Sequence, residues 1–560
     1  MKKILLLFVL ACSFQLFSQT EDAWVFFNDK PNSDTFLANP LTMLSQRSLD
    51  RRIKQNIALD DKDVPVDISY YSQLKEDTNI TVLAKSKSLN AVHIQGEVAA
   101  INELLSAYSF INHIEFANKS LNSSGKSKSN IIVPAHYKKF KETRTDFNYG
   151  EADNQIKMLK GDYLHQQGLT GENQIIAIID AGFPNVNTLL AFQRIRDNNQ
   201  ILGGYNFADR NSAIYTRNSH GTHVLSAIAG YIENEFVGTA PDAKFYLFIS
   251  EIAESETVLE ETLWVEAAER ADSLGVDVIN TSLGYTTYDN PNHSHTYSDM
   301  DGKTTFISRG AEIGASRGLL LVNAAGNSGN DSWKYIGAPA DAPSIISVGA
   351  VDASGEIAGF SSFGPTADGR IKPEIVGQGQ NPTLINYITG NVTTSSSGTS
   401  FSSPIMAGLI ACLNGNQNFA LKSASSTKSK KPGHLNDNLK MSVYQSADRF
   451  SKPTDQYGYG IPNFEEALNS YFVSMGVGTE TMVSKLMIYP NPANAFFEIS
   501  MDISLLKDFT IEIFNILGET VLQKVNSNSK IVDISFLESG IYVLKVSKGN
   551  QFKTLKLIKQ

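Results

Sequence analysis

Four stretches of this chain carry side chains that could act together on one bond. The first is Gly398-Thr399-Ser400-Phe401-Ser402-Ser403-Pro404, which follows the polar run 393–397 and leads into the apolar pattern 405–413. Pro404 fits the first turn of a helix, where a missing N–H costs nothing. Ser400 is therefore expected at or just before a helix N-terminus. There its hydroxyl would face solvent, and the free N–H groups of the first turn would point at whatever binds beside it. A nucleophile that builds negative charge on its target needs such a position. A Ser/Thr-rich loop capping an ordinary core helix would read the same way.

The second stretch closes on Asp180, at the end of Ile175-Ile176-Ala177-Ile178-Ile179-Asp180-Ala181-Gly182. A carboxylate at the end of a buried strand is costly unless it is hydrogen-bonded or paired. It is either a structural turn residue or a chemical one. The third is Asn218-Ser219-His220-Gly221-Thr222-His223-Val224. Two histidines at this spacing could ligate a metal, but a zinc-peptidase helix needs a glutamate in the motif, and Gly221-Thr222 occupy that space. A general base at a helix start suits His220 better, with His223 as a structural neighbour. The fourth is Ala324-Ala325-Gly326-Asn327-Ser328-Gly329, an apolar strand ending in an amide flanked by glycines, where close backbone approach is allowed and the Asn327 side chain offers a directed N–H.

The elements that must position these groups follow from periodicity. Continuous apolar runs at 174–179, 244–249, 276–279, 319–324 and 345–348 read as strands buried on both faces, with helices over 222–230, 260–274 and 305–317 between them. That is an open, mostly parallel α/β sheet, whose ligands bind at the carboxyl ends of its strands. Before it lies a small α+β domain, with strands at 23–27, 80–83 and 91–94 and a charged helix at 44–52, ending in a polar, basic tract at 118–128. After it, strand patterns at 496–499, 510–515, 519–522 and 540–546, with turns at Leu517-Gly518 and Gly549-Asn550, predict a β-sandwich.

Together these residues carry a resemblance. Ile178 to Gly182, His220 to Val224, Ala325-Gly326-Asn327 and Gly398 to Pro404 resemble the signatures of subtilisin-like serine peptidases, in that family's order of Asp, His, Ser. The stretches 238–241, 276–284, 343–352 and 457–463 extend the likeness. The resemblance implies Ser400 as nucleophile, His220 as proton carrier, Asp180 as its orienting carboxylate, and Asn327 with the Ser400 backbone N–H as oxyanion hole. It implies that Ser282-Leu283-Gly284 binds extended substrate as a β-edge. Ala325 and Gly326 would line the first specificity pocket and Gly337 would form its floor, so that large apolar or aromatic side chains precede the cut. Lys334 or Asp341 folding inward would undo that preference. Glu251, Glu254 and Glu256 are read as a solvated loop or as a site favouring basic substrate residues. The segment 285–310, with His293-Ser294-His295, departs from the family pattern and is expected to be an exposed insertion.

The segment before the sheet resembles, in place and size, the inhibitory propeptides of these enzymes, with the maturation cut expected between about Lys119 and Gln155. The slow folding of a sheet rich in non-local contacts is a physical reason for such an assistant. The tail resembles the C-terminal sorting domains of type IX secretion, on Tyr489 to Ala493, Ile513 to Gly518, Gly540 to Val546 and Lys556 to Lys559; a β-sandwich binding carbohydrate or protein is the alternative. The expected organisation is thus signal peptide 1–18, propeptide and linker 19–150, catalytic domain 151–472 and sorting domain 485–560.

Composition agrees with that organisation. The 560 residues exceed one core, and a net charge of −10 argues against a nucleic-acid partner. Lys2-Lys3 before the apolar run 4–11 reads as a secretory signal, with a weaker lipoprotein-like pattern at Cys12. Only Cys12 and Cys412 occur, so loops must be held by packing or by structural Ca²⁺. No cofactor is expected for catalysis. The expected partners are a protein or peptide substrate, the chain's own propeptide and the secretion machinery. The rival readings are a surface module that only binds extended peptides and a zinc hydrolase built on His220 and His223.

Overall fold

The structure is a computed structural model that describes residues 20–122, 146–415, 435–474, 488–499, 510–525, 530–548 and 551–560. The expected signal peptide, residues 123–128 of the basic tract, the Gly549-Asn550 turn and most of the window for the maturation cut lie outside those residues. The chain forms two compact units, the first reaching to residue 465.

The first unit opens with a four-stranded antiparallel sheet in the order β2-β3-β1-β4. Its strands are β1 (Thr20–Phe27), β2 (Ile80–Ser86), β3 (Ala91–Glu97) and β4 (Ile111–Phe116), and its helices are α1 (Ser33–Ala38), α2 (Gln46–Gln55), α3 (Ile68–Glu76) and α4 (Val98–Ala107). β1 alternates, one face turned to Val66, Leu74, Ile101 and Leu104 of its own domain. The other, with Trp24 and Phe26, joins the core of the large sheet that follows.

That sheet has seven strands in the order β13-β12-β11-β10-β5-β9-β6. They are β5 (Ile175–Asp180), β6 (Ile201–Asn206), β9 (Lys244–Ile249), β10 (Val278–Thr281), β11 (Leu320–Ala324), β12 (Ile346–Val351) and β13 (Ile375–Gln378), and every pairing is parallel. Two short ribbons, β7 (Tyr231–Ile232) with β8 (Phe236–Val237) and β14 (Leu384–Ile385) with β15 (Val392–Thr393), stand apart. The helices are α5 (Asp153–Lys157), α6 (Gly161–Gln166), α7 (Gln193–Asp197), α8 (His220–Ala229), α9 (Leu259–Leu274), α10 (Phe306–Ser316), α11 (Thr399–Gly415), α12 (Leu435–Gln445) and α13 (Phe464–Ser474). The five expected strands are present. β6 and β13 were not foreseen, because β6 carries Gly203-Gly204 and is half-exposed and β13 is only Ile-Val-Gly-Gln.

The register brings the chemistry to one edge. Asp180 pairs with Ile249, and Thr281 lies between Ile179 and Asn323. The chain therefore leaves the sheet at Ala181, Ser250, Ser282 and Ala325 side by side, as expected for a parallel sheet.

The second unit is a β-sandwich of two sheets, β16-β17-β20 and β19-β18-β21-β22. β16 (Ile488–Tyr489), β17 (Phe496–Ile499), β18 (Thr510–Phe514), β19 (Thr520–Val525), β20 (Ile531–Asp533), β21 (Gly540–Lys548) and β22 (Gln551–Lys559) enclose Phe497, Ile499, Ile511, Ile513, Val532, Leu544, Val546 and Leu557. The turn at Leu517-Gly518 is present, with Gly518 at φ +83°.

Candidate active site

Asp180 ends β5 fully buried. Its Oδ1 accepts hydrogen bonds from the His220 Nδ1–H at 2.7 Å and from the Ala181 N–H at 2.7 Å. Its Oδ2 is buried with no partner among the described residues. A carboxylate can only accept here, so His220 carries its proton on Nδ1 and keeps Nε2 as a bare acceptor. His220 is the first residue of α8, two residues earlier than the periodicity indicates, and its own N–H donates to Asn218 Oδ1 at 2.9 Å. Burial opposes the imidazolium, but the Asp180 charge and hydrogen bond outweigh it, and the His220 pKa stands above its ordinary value. His223 packs edge-on against Tyr387, ring centroids 5.6 Å apart, and burial followed by the nearby His220 lowers its pKa.

α11 begins at Thr399, so Ser400 is its second residue and Pro404 its sixth. Pro404 is thus not in the first turn, which corrects the expectation. Its missing N–H is the one that would have bonded the Ser400 carbonyl, four residues back. The Ser282 hydroxyl donates to that carbonyl instead, at 2.8 Å. Ser400 is 9% exposed rather than open to solvent, and its hydroxyl donates to the Ser282 carbonyl at 3.2 Å. It makes no hydrogen bond to His220 in this state. The His220 ring lies 5.8 Å, centroid to centroid, from that of Phe401, the next residue along α11.

Asn327 follows β11 at the same edge. Its Oδ1 accepts from the Thr399 N–H at 2.8 Å and from the Thr399 hydroxyl at 3.1 Å. The amide is thereby oriented, and its Nδ2 has no partner among the described residues. A methyl group placed on Gly398 would lie 3.4 Å from Asn327 Nδ2 and 3.7 Å from the Ser400 nitrogen. Both nitrogens therefore lie close to Gly398, with Asn327 Oδ1 3.6 Å from the same point.

The expected substrate edge borders these groups. Ser282 is buried, Leu283 half-buried and Gly284 exposed. The Leu283 carbonyl accepts from Asn323 Nδ2 at 3.1 Å, whereas Gly284 has no hydrogen-bond partner among the described residues. The segment thus runs from the buried end of β10 out to an exposed residue with free backbone groups. Ala325 packs with Ile336 and Ala340 in a small apolar cluster. Gly326 has φ +109°, and a Cβ there would meet Ser362 Oγ at 2.8 Å; one on Gly337 would meet Thr286 Cγ2 at 2.9 Å. The Lys334 ammonium lies over the Phe363 ring at 4.7 Å. Asp341 is buried and accepts from the Ser308 hydroxyl at 2.6 Å and the Gly302 N–H at 2.7 Å.

Two expectations are corrected by burial. Glu251 is not a solvated loop carboxylate: Tyr285 donates to it at 2.7 Å, and burial, with the charge of Glu256, pushes its pKa up to about 7. The insertion is not exposed at its histidines. His293 bonds Glu21 of β1, and His295 bonds Glu261 at 2.7 Å and accepts from Lys119 at 3.2 Å. Sequence periodicity had no means of pairing these residues, since each contact joins distant segments.

The subtilase family profile matches residues 171–460, just over half of the 560 residues. The chain belongs to the subtilase family. The Bacteroidota subtilase propeptide domain matches residues 22–131, and the secretion system C-terminal sorting domain matches 487–560. The subtilase is 32% identical to subtilisin DY of Bacillus licheniformis, over 46% of this chain and 82% of that protein. It is 28% identical to a thermostable alkaline protease of Halalkalibacterium halodurans, over 55% of this chain and 70% of that protein. The structure of the epidermin leader peptide processing serine protease of Staphylococcus aureus covers 81% of this chain and 98% of its own, with a TM-score of 0.50 and 17% identity, a likeness of fold. This subtilase is a serine endopeptidase, made as a zymogen and secreted or displayed at the cell surface.

Proposed function

We propose that Ser400, His220, Asp180 and Asn327 carry peptide-bond hydrolysis in this subtilase. The observation that supports it most is the 2.7 Å hydrogen bond from His220 to Asp180, which leaves Nε2 bare beside the start of α11. Rotation of the Ser400 hydroxyl away from the Ser282 carbonyl hands its proton to Nε2 as Oγ attacks the scissile carbonyl. The carbonyl oxygen, now negative, enters the space between Asn327 Nδ2 and the Ser400 N–H. The imidazolium next to Asp180 then protonates the leaving amine, and the acyl-enzyme remains. Water, deprotonated by His220, attacks the acyl carbon, and Ser400 leaves with the proton. Donors fixed before charge develops act only in the transition state, so they raise kcat rather than affinity.

Substrate lies extended along Ser282, Leu283 and Gly284, with Gly284 supplying unpaired backbone groups. The side chain before the cut enters beside Ala325, Gly326 and Gly337. Lys334 and Asp341 are engaged elsewhere, so large apolar or aromatic side chains are preferred. The propeptide and linker span 19–150, the catalytic domain 151–472 and the sorting domain 485–560. A signal peptide over 1–18 starts export, and the sorting domain engages the secretion machinery. Among the described residues no cluster of three or more His, Cys, Asp or Glu side chains is placed to hold a metal ion, so stabilisation by Ca²⁺ is tested directly by melting with and without a chelator.

A fluorophosphonate probe tests the catalytic assignment. Labelling is expected in the mature enzyme and is expected to vanish in Ser400→Ala and His220→Ala. Labelling that persists in Ser400→Ala overturns the assignment.

A further inference from the structure

Helices α9 and α10 each close on a left-handed glycine, Gly275 and Gly318, whose N–H groups bond back to Asp272 and Ala315. The carboxyl end of a helix is negative and favours cations, yet neither helix has a basic residue in its last turn, and α9 carries Asp272 there. The C-cap of α10 is Arg317, whose guanidinium bonds Asp60 and Asp63 of the propeptide at 3.0 and 3.3 Å, and the propeptide adds two further cations. Helix α2 of the propeptide lies across both ends. Arg51 bonds the Asp272 carboxylate and the Val276 carbonyl. Arg52 donates to the other Asp272 oxygen at 2.7 Å, to the Arg317 carbonyl at the end of α10 at 2.7 Å, and to Asp63 at 2.7 Å. Arg51, Arg52, Asp63 and Asp272 are all buried.

The fit extends to the backbone. Gly275, which ends α9 at φ +82°, would meet Arg47 Cβ at 2.8 Å if it carried a Cβ. Gly318, just after α10 at φ +91°, would meet the Gln55 amide at 2.9 Å. Both glycines are turned into the left-handed region that closes helices, and both are covered by the same propeptide helix. Arg47 and Gln55 in turn donate to the Gly275 and Gly318 carbonyls, each at 2.9 Å.

We propose that α2 is a detachable cap shared by α9 and α10, and that Arg51 and Arg52 set how long the cleaved propeptide stays on the catalytic domain. The partner this surface fits is a helix carrying two adjacent arginines, here the chain's own. The sheet face of the propeptide provides apolar area, while Arg51 and Arg52 satisfy Asp272 and the Val276 and Arg317 carbonyls, which the catalytic domain leaves to them. Breaking one partner of a buried charge network strands the other, so single substitutions should be felt strongly.

The proposal rests on reading residues 20–122 as propeptide, and its test does not depend on catalysis. In the full chain carrying Ser400→Ala, hydrogen exchange is followed at 272–277, with 91–97 of the propeptide sheet as internal reference. Arg52→Met is expected to speed exchange at 272–277 by at least about tenfold, and Arg52→Lys, which keeps charge but loses the planar fork, by a smaller factor. Asp272→Asn combined with Arg52→Met should cost less than the product of the two single effects, because the Arg52–Asp272 contact is shared by both. In the active chain, Arg52→Lys should shorten the delay between propeptide cleavage and onset of hydrolysis of a small peptide. Unchanged exchange in Arg52→Lys and Arg52→Met, or losses that simply multiply, overturns the clasp. Should Arg52→Met fail to accumulate, the Arg52→Lys exchange and delay decide alone. Hydrolysis persisting in Ser400→Ala would instead overturn the catalytic assignment and leave the clasp standing.

Discussion

Ser282 and Ser400 hold each other by two reciprocal hydrogen bonds: the Ser282 hydroxyl donates to the Ser400 carbonyl at 2.8 Å, and the Ser400 hydroxyl donates to the Ser282 carbonyl at 3.2 Å. The first bond exists because Pro404 cannot supply the usual helical donor to residue 400. The second parks the hydroxyl in the resting state. Asn280 extends the arrangement, donating to Ser282 Oγ at 3.1 Å and accepting from Ser403 at 2.9 Å. The end of β10 and the start of α11 are thereby fixed as one piece.

Ser282→Ala removes the donor to a buried carbonyl and leaves Asn280 without its acceptor. A loss of about 1–3 kcal/mol in stability is expected. Because Ser400 is then less tightly placed, kcat should fall by about 10–100-fold with little change in KM. Urea unfolding and steady-state kinetics on one purified variant check both. Wild-type kcat in a destabilised Ser282→Ala would separate the network from catalysis.

Gly398→Ala isolates the space between the two donors. Gly398 is outside the left-handed region, and its added methyl would make ordinary contacts, so stability should change by less than about 1 kcal/mol. The methyl would sit beside Asn327 Nδ2 and the Ser400 nitrogen and crowd an incoming oxyanion. Loss of about 10–100-fold in kcat is expected, comparable to weakening one donor. Unaltered kcat would mean that the oxyanion lies elsewhere.

The placement of the candidate site residues was largely legible in the sequence. Asp180, His220, Asn327 and Ser400 stand at strand and helix ends that apolar runs mark out, and a parallel sheet gathers such ends at one edge. What was not legible depends on tertiary contacts. Pro404 reads locally as a first-turn residue, and only Ser282, 118 positions before the Ser400 carbonyl it bonds, makes its interior place tolerable. Glu251 reads as one more loop acid until Tyr285 covers it. His293 and His295 read as an exposed pair until Glu21 and Glu261 reach them.

The propeptide interface should show as stability present in the precursor and absent from the mature enzyme. Trp24 is 7% exposed, stacks on Phe306 at 4.9 Å and donates its indole N–H to Thr262 at 2.9 Å. In the Ser400→Ala precursor, Trp24→Ala should cost about 3–5 kcal/mol through lost packing and the cavity left behind. Mature protein obtained from either precursor by cleavage with added active enzyme should melt identically, since Trp24 is gone from both. Calorimetry of the four samples checks this, and a precursor insensitive to Trp24→Ala would place the stabilising contact elsewhere.

Glu251 ties the pH response to the substrate edge. It stands two residues beyond Ile249, the register partner of Asp180, and its negative charge is one of the influences that raise the His220 pKa. Glu251→Gln removes that charge and keeps an oxygen for the Tyr285 hydroxyl. The imidazolium is then less favoured, His220 loses its proton at lower pH, and the acid limb of kcat/KM should move down. Stability should change in a related way. Burial, then Glu256, raises the Glu251 pKa from 4.5 to about 7, so its contribution is fully present below pH 4.5 and is lost as pH rises through 7. The glutamine variant does not ionise, so its unfolding free energy should fall less steeply across that window, measured in the Ser400→Ala background to prevent self-digestion. An acid limb that moves upward, or a stability slope unchanged by the substitution, would detach Glu251 from both responses.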